Sequence, residues 1–208
     1  MFNVCPHCGQ YEVDKTSMAP GLFQCRHCQQ LIEIKQAPLF VVGGASAAGK
    51  STLCLQATGQ LQDVVLLDMD ILWHDHFNEP ETSYRAFFET WLRMAKNIQQ
   101  SGRPVVLFGA GACMHENIEP CTERRYFTAV HYLAVTCAGN TLAERLKARP
   151  AWRNCSDAAF VEQQLAFNQT LIERAQTEQK YPLTLLDTTN ATQQETFAQF
   201  KTWLKAGL

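Results

Sequence analysis

Little in this chain is extreme, and each missing extreme removes a class of function. Formal net charge is only −2 over 208 residues, so no basic field recruits nucleic acid or anionic membrane. No apolar run approaches the roughly 20 residues that a membrane-crossing helix needs. The opening residues Met1-Phe2-Asn3-Val4-Cys5 carry neither the basic region nor the apolar core of a secretory signal. Internal repeats and low-complexity tracts are absent. There is no N-K-x-D guanine-reading motif, and basic residues do not interleave with aromatics as in nucleic-acid binders. A disulfide framework is lacking too. The nine cysteines are an odd count: four form a metal pattern, and Cys54, Cys113, Cys121, Cys137 and Cys155 are scattered. A reduced, cytoplasmic protein is the expectation. The remaining composition, 46% hydrophobic and 18% charged, is that of a globular chain long enough for one full domain plus a small module.

What is present centres on Gly44-Ala45-Ser46-Ala47-Ala48-Gly49-Lys50-Ser51, which reads G-x-x-x-x-G-K-S, the phosphate-binding P-loop. Leu39-Phe40-Val41-Val42 before it has the look of a buried strand, and Thr52 to Ala57 after it reads as a helix. The glycines let the backbone curl around an anion. Successive N–H groups and the positive helix end then face the phosphates. Lys50 would reach the β- and γ-phosphates, and the Ser51 hydroxyl would ligate Mg²⁺.

The N-terminal segment holds Cys5-Pro6-His7-Cys8 and Cys25-Arg26-His27-Cys28, two C-x2-C pairs sixteen residues apart. That spacing predicts a four-cysteine zinc site in which two tight knuckles complete a tetrahedron. Gly9 follows the first knuckle, where a turn needs positive φ. The segment is too short for a core of its own, so metal would supply much of its folding free energy. With no open coordination position, the site reads as structural; His7 and His27 could replace a cysteine as ligand, but read first as solvent-facing neighbours. Arg26, Lys15 and Lys35 do not make a basic patch. Gln36-Ala37-Pro38 marks the boundary, giving a zinc ribbon over 1–37 and a second domain over 38–208.

Beyond the P-loop, Asp63 to Asp68 reads as a second buried strand ending in Asp68-Met69-Asp70. Strand alternation would put both carboxylates on one side, at the ligand edge of an α/β sheet. One suits a Mg²⁺ shell, and the other could accept a proton from an attacking hydroxyl. Tyr84, Phe87, Phe88, Trp91, Leu92, Ala95 and Ile98 recur at helical spacing, with Ser83 as the expected N-cap. Most of this stripe is core, but Trp73, Phe77 and Tyr84 follow the carboxylates closely enough to stack on a base. His74 and His76 read as a polar lip, with a second metal site conceivable. Arg103 to Phe108 is a third strand running into Gly109-Ala110-Gly111, where backbone can approach a ligand closely. Arg124 and Arg125 could face phosphate or solvent. Thr128 to Val135 is a fourth strand, followed by a helix capped by Asn140 or Thr141, with Thr141 and Glu144 spaced as a capping box. Arg145, Arg149 and Arg153 straddle that helix's end, because Pro150 cannot continue it. They fit a loop that closes over a triphosphate, or a solvated basic helix end. A long helix from about Asp157, a last strand Leu183 to Asp187, and a final helix opened by Thr192 and Glu195 complete the chain.

From Pro38 onward the chain resembles the small P-loop kinases: shikimate, gluconate, adenylate and nucleoside kinases. Five places carry the resemblance. They are the P-loop, Asp68-x-Asp70, the Gly109-Ala110-Gly111 strand end, the helix bearing Leu142, Arg145, Leu146 and Arg149, and Leu186-Asp187-Thr188-Thr189. The resemblance implies an α/β P-loop NTPase three-layer sandwich with a five-stranded parallel sheet and an arginine lid closing over ATP. It implies that Asp68 lies near magnesium and that Asp70 binds or deprotonates the acceptor. Arg145, Arg149 or Arg153 would contact phosphate, and the stretch after Asp187, Thr188 first, would lie beside adenine. Ribbon included, the chain is similar to bacterial proteins described as nucleoside kinases. Shikimate and gluconate kinases carry no ribbon, and shikimate kinases show a third glycine where this chain has Ala110.

The expected activity is therefore ATP-dependent phosphoryl transfer to a small-molecule hydroxyl, with nucleosides or nucleotides leading among acceptors and sugar-like ones open. Lys50, Asp68, Asp70, Arg149 and Arg153 are the candidate catalytic groups. Gly44 through Thr52, with Arg145 and Thr188, are the candidate nucleotide contacts. Cys5, Cys8, Cys25 and Cys28 would hold Zn²⁺, and Ser51 and Asp68 Mg²⁺. The competing reading is a nucleotide-hydrolysing switch or nucleic-acid-associated ATPase that uses the ribbon as reader. A homodimer through the ribbon is compatible with the first reading.

Overall fold

The computed structural model describes residues 2–153 and 155–208. Two sheets organise them. The first is small and antiparallel: β1 (Thr16–Ala19), β2 (Leu22–Gln24) and β3 (Leu31–Glu33), in that order. The second begins with β4 (Leu39–Gly43) and α1 (Lys50–Ala57), then β5 (Val65–Asp68), α2 (Arg85–Gln99) and β6 (Val105–Phe108). It continues through α3 (His115–Ile118), β7 (Val130–Thr136), α4 (Gly139–Lys147), α5 (Ala158–Thr177), β8 (Leu183–Asp187) and α6 (Gln193–Gly207). The strand order is β5-β6-β4-β7-β8, and every neighbouring pair is parallel.

Unbroken apolar runs mark strands covered on both faces, and β4 is buried at all five positions. Alternation splits each central strand between two cores. Phe40 and Val42, Val106 and Phe108, and Leu133 and Val135 face one core with residues of α1, α4 and α6. Leu39 and Val41, Val105 and Leu107, and Tyr132 and Ala134 face the other, against Phe87, Phe88 and Trp91 of α2 and Leu171 of α5. This is the three-layer sandwich. The chain leaves β4 toward β5 on one side and returns through β6 to β7 on the other. Strand order thus reverses beside β4, and the P-loop sits at its carboxyl end, where such sheets bind ligands. Among the described residues, no helix is long and apolar enough to cross a membrane.

Several local expectations need correction. Ser83 does not cap α2: Ser83 and Tyr84 both adopt φ of 54°, and the helix starts at Arg85 without a side-chain cap. The Thr141–Glu144 box does not form either. The α4 helix begins at Gly139 with Ala138 at its N-cap, three residues before Thr141, and Thr189 Oγ1 accepts the Ala138 N–H at 2.8 Å, fixing the preceding turn. By contrast, Asp157 caps α5, and Thr192 and Glu195 cap each other's backbone at α6.

The small sheet is fastened to the large one. Tyr126 is fully buried and completes the small sheet's core with Phe23, Ile32 and Ile34, its ring 4.7 Å from Phe23. Its hydroxyl donates to the Val13 carbonyl at 2.5 Å. Beside it Glu123 lies fully buried, pairing with Lys96 at 2.6 Å and Arg93 at 3.0 Å, and accepting the Asn3 amide at 3.0 Å. Lys96 also donates to Asn3 Oδ1 and lies over the Tyr126 ring. Arg124 and Arg125 serve structure as well: Arg124 pairs with Glu119, and Arg125 donates to the Lys15 and Thr122 carbonyls.

Candidate active site

The P-loop runs from the end of β4 into α1. Close approach dictates its glycines. A Cβ on Gly43 would stand 2.2 Å from Cys113 Sγ, and one on Gly44, which has φ of 142°, 2.2 Å from the Val135 carbonyl oxygen. Gly49, with φ of 116°, opens α1. The Gly44 N–H donates to the Ala110 carbonyl at 3.1 Å, tying the loop to the glycine-flanked end of β6. The Thr188 hydroxyl donates to the Ala48 carbonyl at 2.8 Å, tying it to the end of β8. Lys50 folds over the loop and donates to the Gly44 and Ala45 carbonyls at 2.7 and 2.8 Å. Burial pushes its ammonium down to about 8; Cys113, Asp70 and Asp68 pull the other way, and Arg149 adds to the depression.

Two adjoining cavities flank the loop. One, about 190 Å³, is lined by Ala47, Gly49, Lys50, Ser51, Thr52, Arg145 and Arg149. Its neighbour, about 250 Å³, shares Ala47, Gly49, Thr52 and Arg145, and extends past Thr188 to Gln56, Gln193 and Thr196. Arg145 is braced across their junction, donating to the Thr188 hydroxyl and carbonyl at 2.9 and 2.8 Å. The two form a groove, cationic at one end and neutral amide and hydroxyl at the other.

Asp68 and Asp70 line neither cavity but lie close enough to Lys50 to act on its charge, and they are arranged differently from strand alternation. The chain leaves β5 at Asp68 and enters a 3₁₀ turn, Met69–Leu72, capped by Asp68 Oδ1 accepting the Asp70 N–H at 3.0 Å. Asp70 is therefore presented by a turn, at an exposed mouth. Partial desolvation and then the Asp68 charge raise its carboxyl above the usual range, while Lys50 and Arg153 oppose the shift. Arg153 thus acts electrostatically on Asp70, as Arg149 does on Lys50. The arginines straddle the end of α4, with Arg153 closing a short 3₁₀ turn. Next to Asp70, Trp73 is 45% exposed, its ring 5.2 Å from Phe87 and 5.9 Å from Tyr84. Phe77 packs on Phe87 at 5.4 Å.

Of the expected contacts, Ala47, Gly49, Lys50, Ser51, Thr52, Arg145 and Arg149 line one cavity together, and Thr188 lines its neighbour. Gly44, Ala45 and Ala48 are buried beneath. Ser46 departs from the plan, since its N–H donates to Gln164 Oε1 of α5 at 2.7 Å. Sequence reasoning missed Gln164, and no local pattern marked it. It missed Gln56, Gln193 and Thr196 as well; the capping box located the start of α6 but not the cavity beside it.

In the small sheet the four cysteine sulfurs lie within 4.8 Å of one another. Cys5 and Cys28 are 3.7 Å apart, and Cys8 and Cys25 3.8 Å. Four sulfurs at the usual 2.3 Å from a tetrahedral ion stand about 3.8 Å apart, so the set fits zinc. The knuckles are equivalent turns: Gly9 and Gln29 donate back to the Cys5 and Cys25 carbonyls, both with positive φ. His7 and His27 are exposed and stand outside the cluster. Among the described residues no other set of three or more His, Cys, Asp or Glu ligand atoms converges in this way, so His74 and His76 belong to no such cluster.

A parallel sheet with a P-loop at its reversal point defines the class, a P-loop α/β protein with the fold of the small P-loop kinases. Residues 39–170 match the AAA_33 family, described as an AAA domain, and the chain belongs to that family. Among solved structures it is similar to a sugar kinase from Janibacter sp. HTCC2649, with 15% identity, TM-score 0.58, and coverage of 82% of this chain and 95% of that one. It is similar also to a gluconokinase from Sinorhizobium meliloti 1021, with 16% identity, TM-score 0.51, and coverage of 81% and 92%. At such identities the likeness is one of fold. No curated protein matches the sequence.

Proposed function

We propose that the protein is an ATP-dependent phosphotransferase acting on a hydroxyl of a small molecule, with nucleosides and nucleotides as the leading acceptor class. One observation carries the reading: a groove runs from neutral amides to three cationic side chains, with a raised carboxyl close enough to Lys50 to feel its charge. Residues 38–208 would form the kinase unit and 1–37 the ribbon.

The loop fits a triphosphate on its own geometry. Gly44 stands where a Cβ would collide with the Val135 carbonyl, Gly49 takes a φ of 116° that favours glycine, and Lys50 rests on backbone carbonyls that phosphate oxygens would replace as partners. The neutral end, at Gln56, Gln193 and Thr196, would take the base, with Arg145 between base and phosphates. Ser51 and Asp68 would hold Mg²⁺, which would neutralise charge on the phosphate oxygens. Asp70 would take the acceptor's proton as its oxygen bonds to the γ-phosphorus and the bond to ADP breaks. Its raised carboxyl is the better base for that task. Lys50, Arg149 and Arg153 would stabilise the charge on the transferring group. Trp73, exposed beside Asp70 and backed by Tyr84 and Phe87, supports a flat, base-bearing acceptor. Cys5, Cys8, Cys25 and Cys28 would bind zinc in a closed, structural site.

The ribbon gives little support to the nucleic-acid reading. Arg26 pairs with Asp14 at 2.6 Å, and Lys15 is fully buried, donating to the Asn3 and Glu12 carbonyls. The deciding experiment is a screen of nucleosides, nucleotides and sugars for acceptor-dependent ADP release. ADP release that no acceptor stimulates, but that DNA or RNA does, would reverse the assignment.

A further inference from the structure

We propose that Gln164 is a positioning residue that reads the terminal phosphate of the bound nucleotide. The inference rests on the phosphate-cradle reading above and adds a contact that the loop motif does not contain.

Position along the groove supplies the first argument. The base end is marked by Gln56 and Thr196, the middle by Gly49 and Arg145, and the phosphate end by Lys50 and Arg149. Lys50 folds back from there onto the Gly44 and Ala45 carbonyls, beneath the loop. Ser46 is the next residue, and its N–H is the one that Gln164 accepts at 2.7 Å. The lysine of this motif serves the β- and γ-phosphates, so Ser46 and Gln164 stand at the γ end.

Rigidity supplies the second. Asn168 lies one helical turn beyond Gln164, on the same face of α5. It is buried, accepts the Cys137 N–H at 3.3 Å and donates to the Cys137 carbonyl at 2.8 Å, fixing α5 to the end of β7. Leu165, beside Gln164, packs into the core on the α4 side of the sheet. Gln164 is therefore held against the loop by its helix.

The chemistry follows from the side-chain amide. The carbonyl end is used on Ser46, which leaves the NH₂ end of the same planar group as a neutral donor at the same rim. A γ-phosphate oxygen is an acceptor at the place that donor can serve, and a nucleoside diphosphate has no such oxygen. Gln164 then favours the triphosphate over the diphosphate, which helps product leave after transfer.

The test uses the full-length protein with its metal in place and compares dissociation constants for Mg-ATP and Mg-ADP by calorimetry. Gln164→Glu keeps an acceptor for Ser46 and replaces the donor with a charged oxygen. It should weaken ATP by at least about tenfold while leaving ADP within about threefold, the scale of a hydrogen bond to a charged group. Gln164→Ala should shift the ATP-to-ADP preference in the same direction by a smaller factor. Equal weakening of both nucleotides, or no change in either, would overturn the proposal by reducing Gln164 to a loop support. Wild-type protein that fails to bind Mg-ATP would overturn the cradle reading and this inference with it, an outcome the wild-type measurement alone identifies.

Discussion

Replacing Glu123 by alanine tests how the small sheet is joined to the large one. Glu123 and Lys96 are both fully buried, and Glu123 also accepts from Asn3 and Arg93. The substitution strands the Lys96 ammonium in the interior, with Asn3 Oδ1 and the Tyr126 ring as its remaining partners. Removing one member of a buried pair costs about 3–5 kcal/mol. Arg93 is half exposed, so its share is screened and adds little. For a chain of this size each kcal/mol moves the melting midpoint by about 2–4 °C, which gives a loss of about 6–20 °C. Calorimetry or circular dichroism at constant zinc reads it. Lys96→Met in the Glu123→Ala background removes the stranded charge and should recover part of the loss. A shift below about 2 °C, or a double variant no more stable than Glu123→Ala, would show that the pair does not join the sheets in this way.

Four further outcomes are expected. Asp70→Asn should abolish phosphoryl transfer while Mg-ATP binding persists; turnover at the wild-type rate would remove Asp70 as the base. Lys50, which burial holds down to about 8 against the pull of Cys113, Asp70 and Asp68, should be raised again by bound phosphate. ATP binding should then take up a proton above about pH 8 and weaken as pH climbs through that value; calorimetry in buffers of different ionisation enthalpy that finds no uptake at pH 9 would contradict this. Gly44→Ala should lose ATP binding, because its Cβ would meet the Val135 carbonyl at 2.2 Å in a backbone of φ 142°; unchanged affinity would mean that the loop can move. Purified protein should carry one zinc per chain by elemental analysis, and chelation should lower a single transition of the whole chain, since Tyr126 belongs to the small sheet's core. A separate early transition with the rest unaffected would argue for an independent ribbon.

What was legible in the sequence and what was not divide along one physical line. Gly44, Gly49, Lys50 and Ser51 could be read because a backbone wrapped around an anion constrains consecutive residues. The two C-x2-C pairs could be read because each knuckle is a local turn, and the central strands β4 and β6 because burial on both faces leaves unbroken apolar runs. The arrangement of Asp68 and Asp70 was misread: spacing of two suggested strand alternation, whereas Asp68 caps a 3₁₀ turn that carries Asp70. Ser83 satisfied the cap composition, yet composition cannot register that two successive residues take positive φ. The rest depends on side chains meeting backbone or buried charge at long range. Gln164 meets Ser46 across 118 residues, and Asn3 meets Glu123 across 120. No periodicity encodes such a meeting, because neither partner's neighbours need be unusual. A buried glutamate, lysine or glutamine in an otherwise ordinary helix looks like solvated surface until the fold is known. Its burial then becomes informative, since an unpaired charge there would be expelled. The same reasoning ranks the unforeseen residues: Glu123 and Lys96 are both fully buried and must be paired for the fold to persist, whereas uncharged, half-buried Gln164 carries no such penalty when it is replaced.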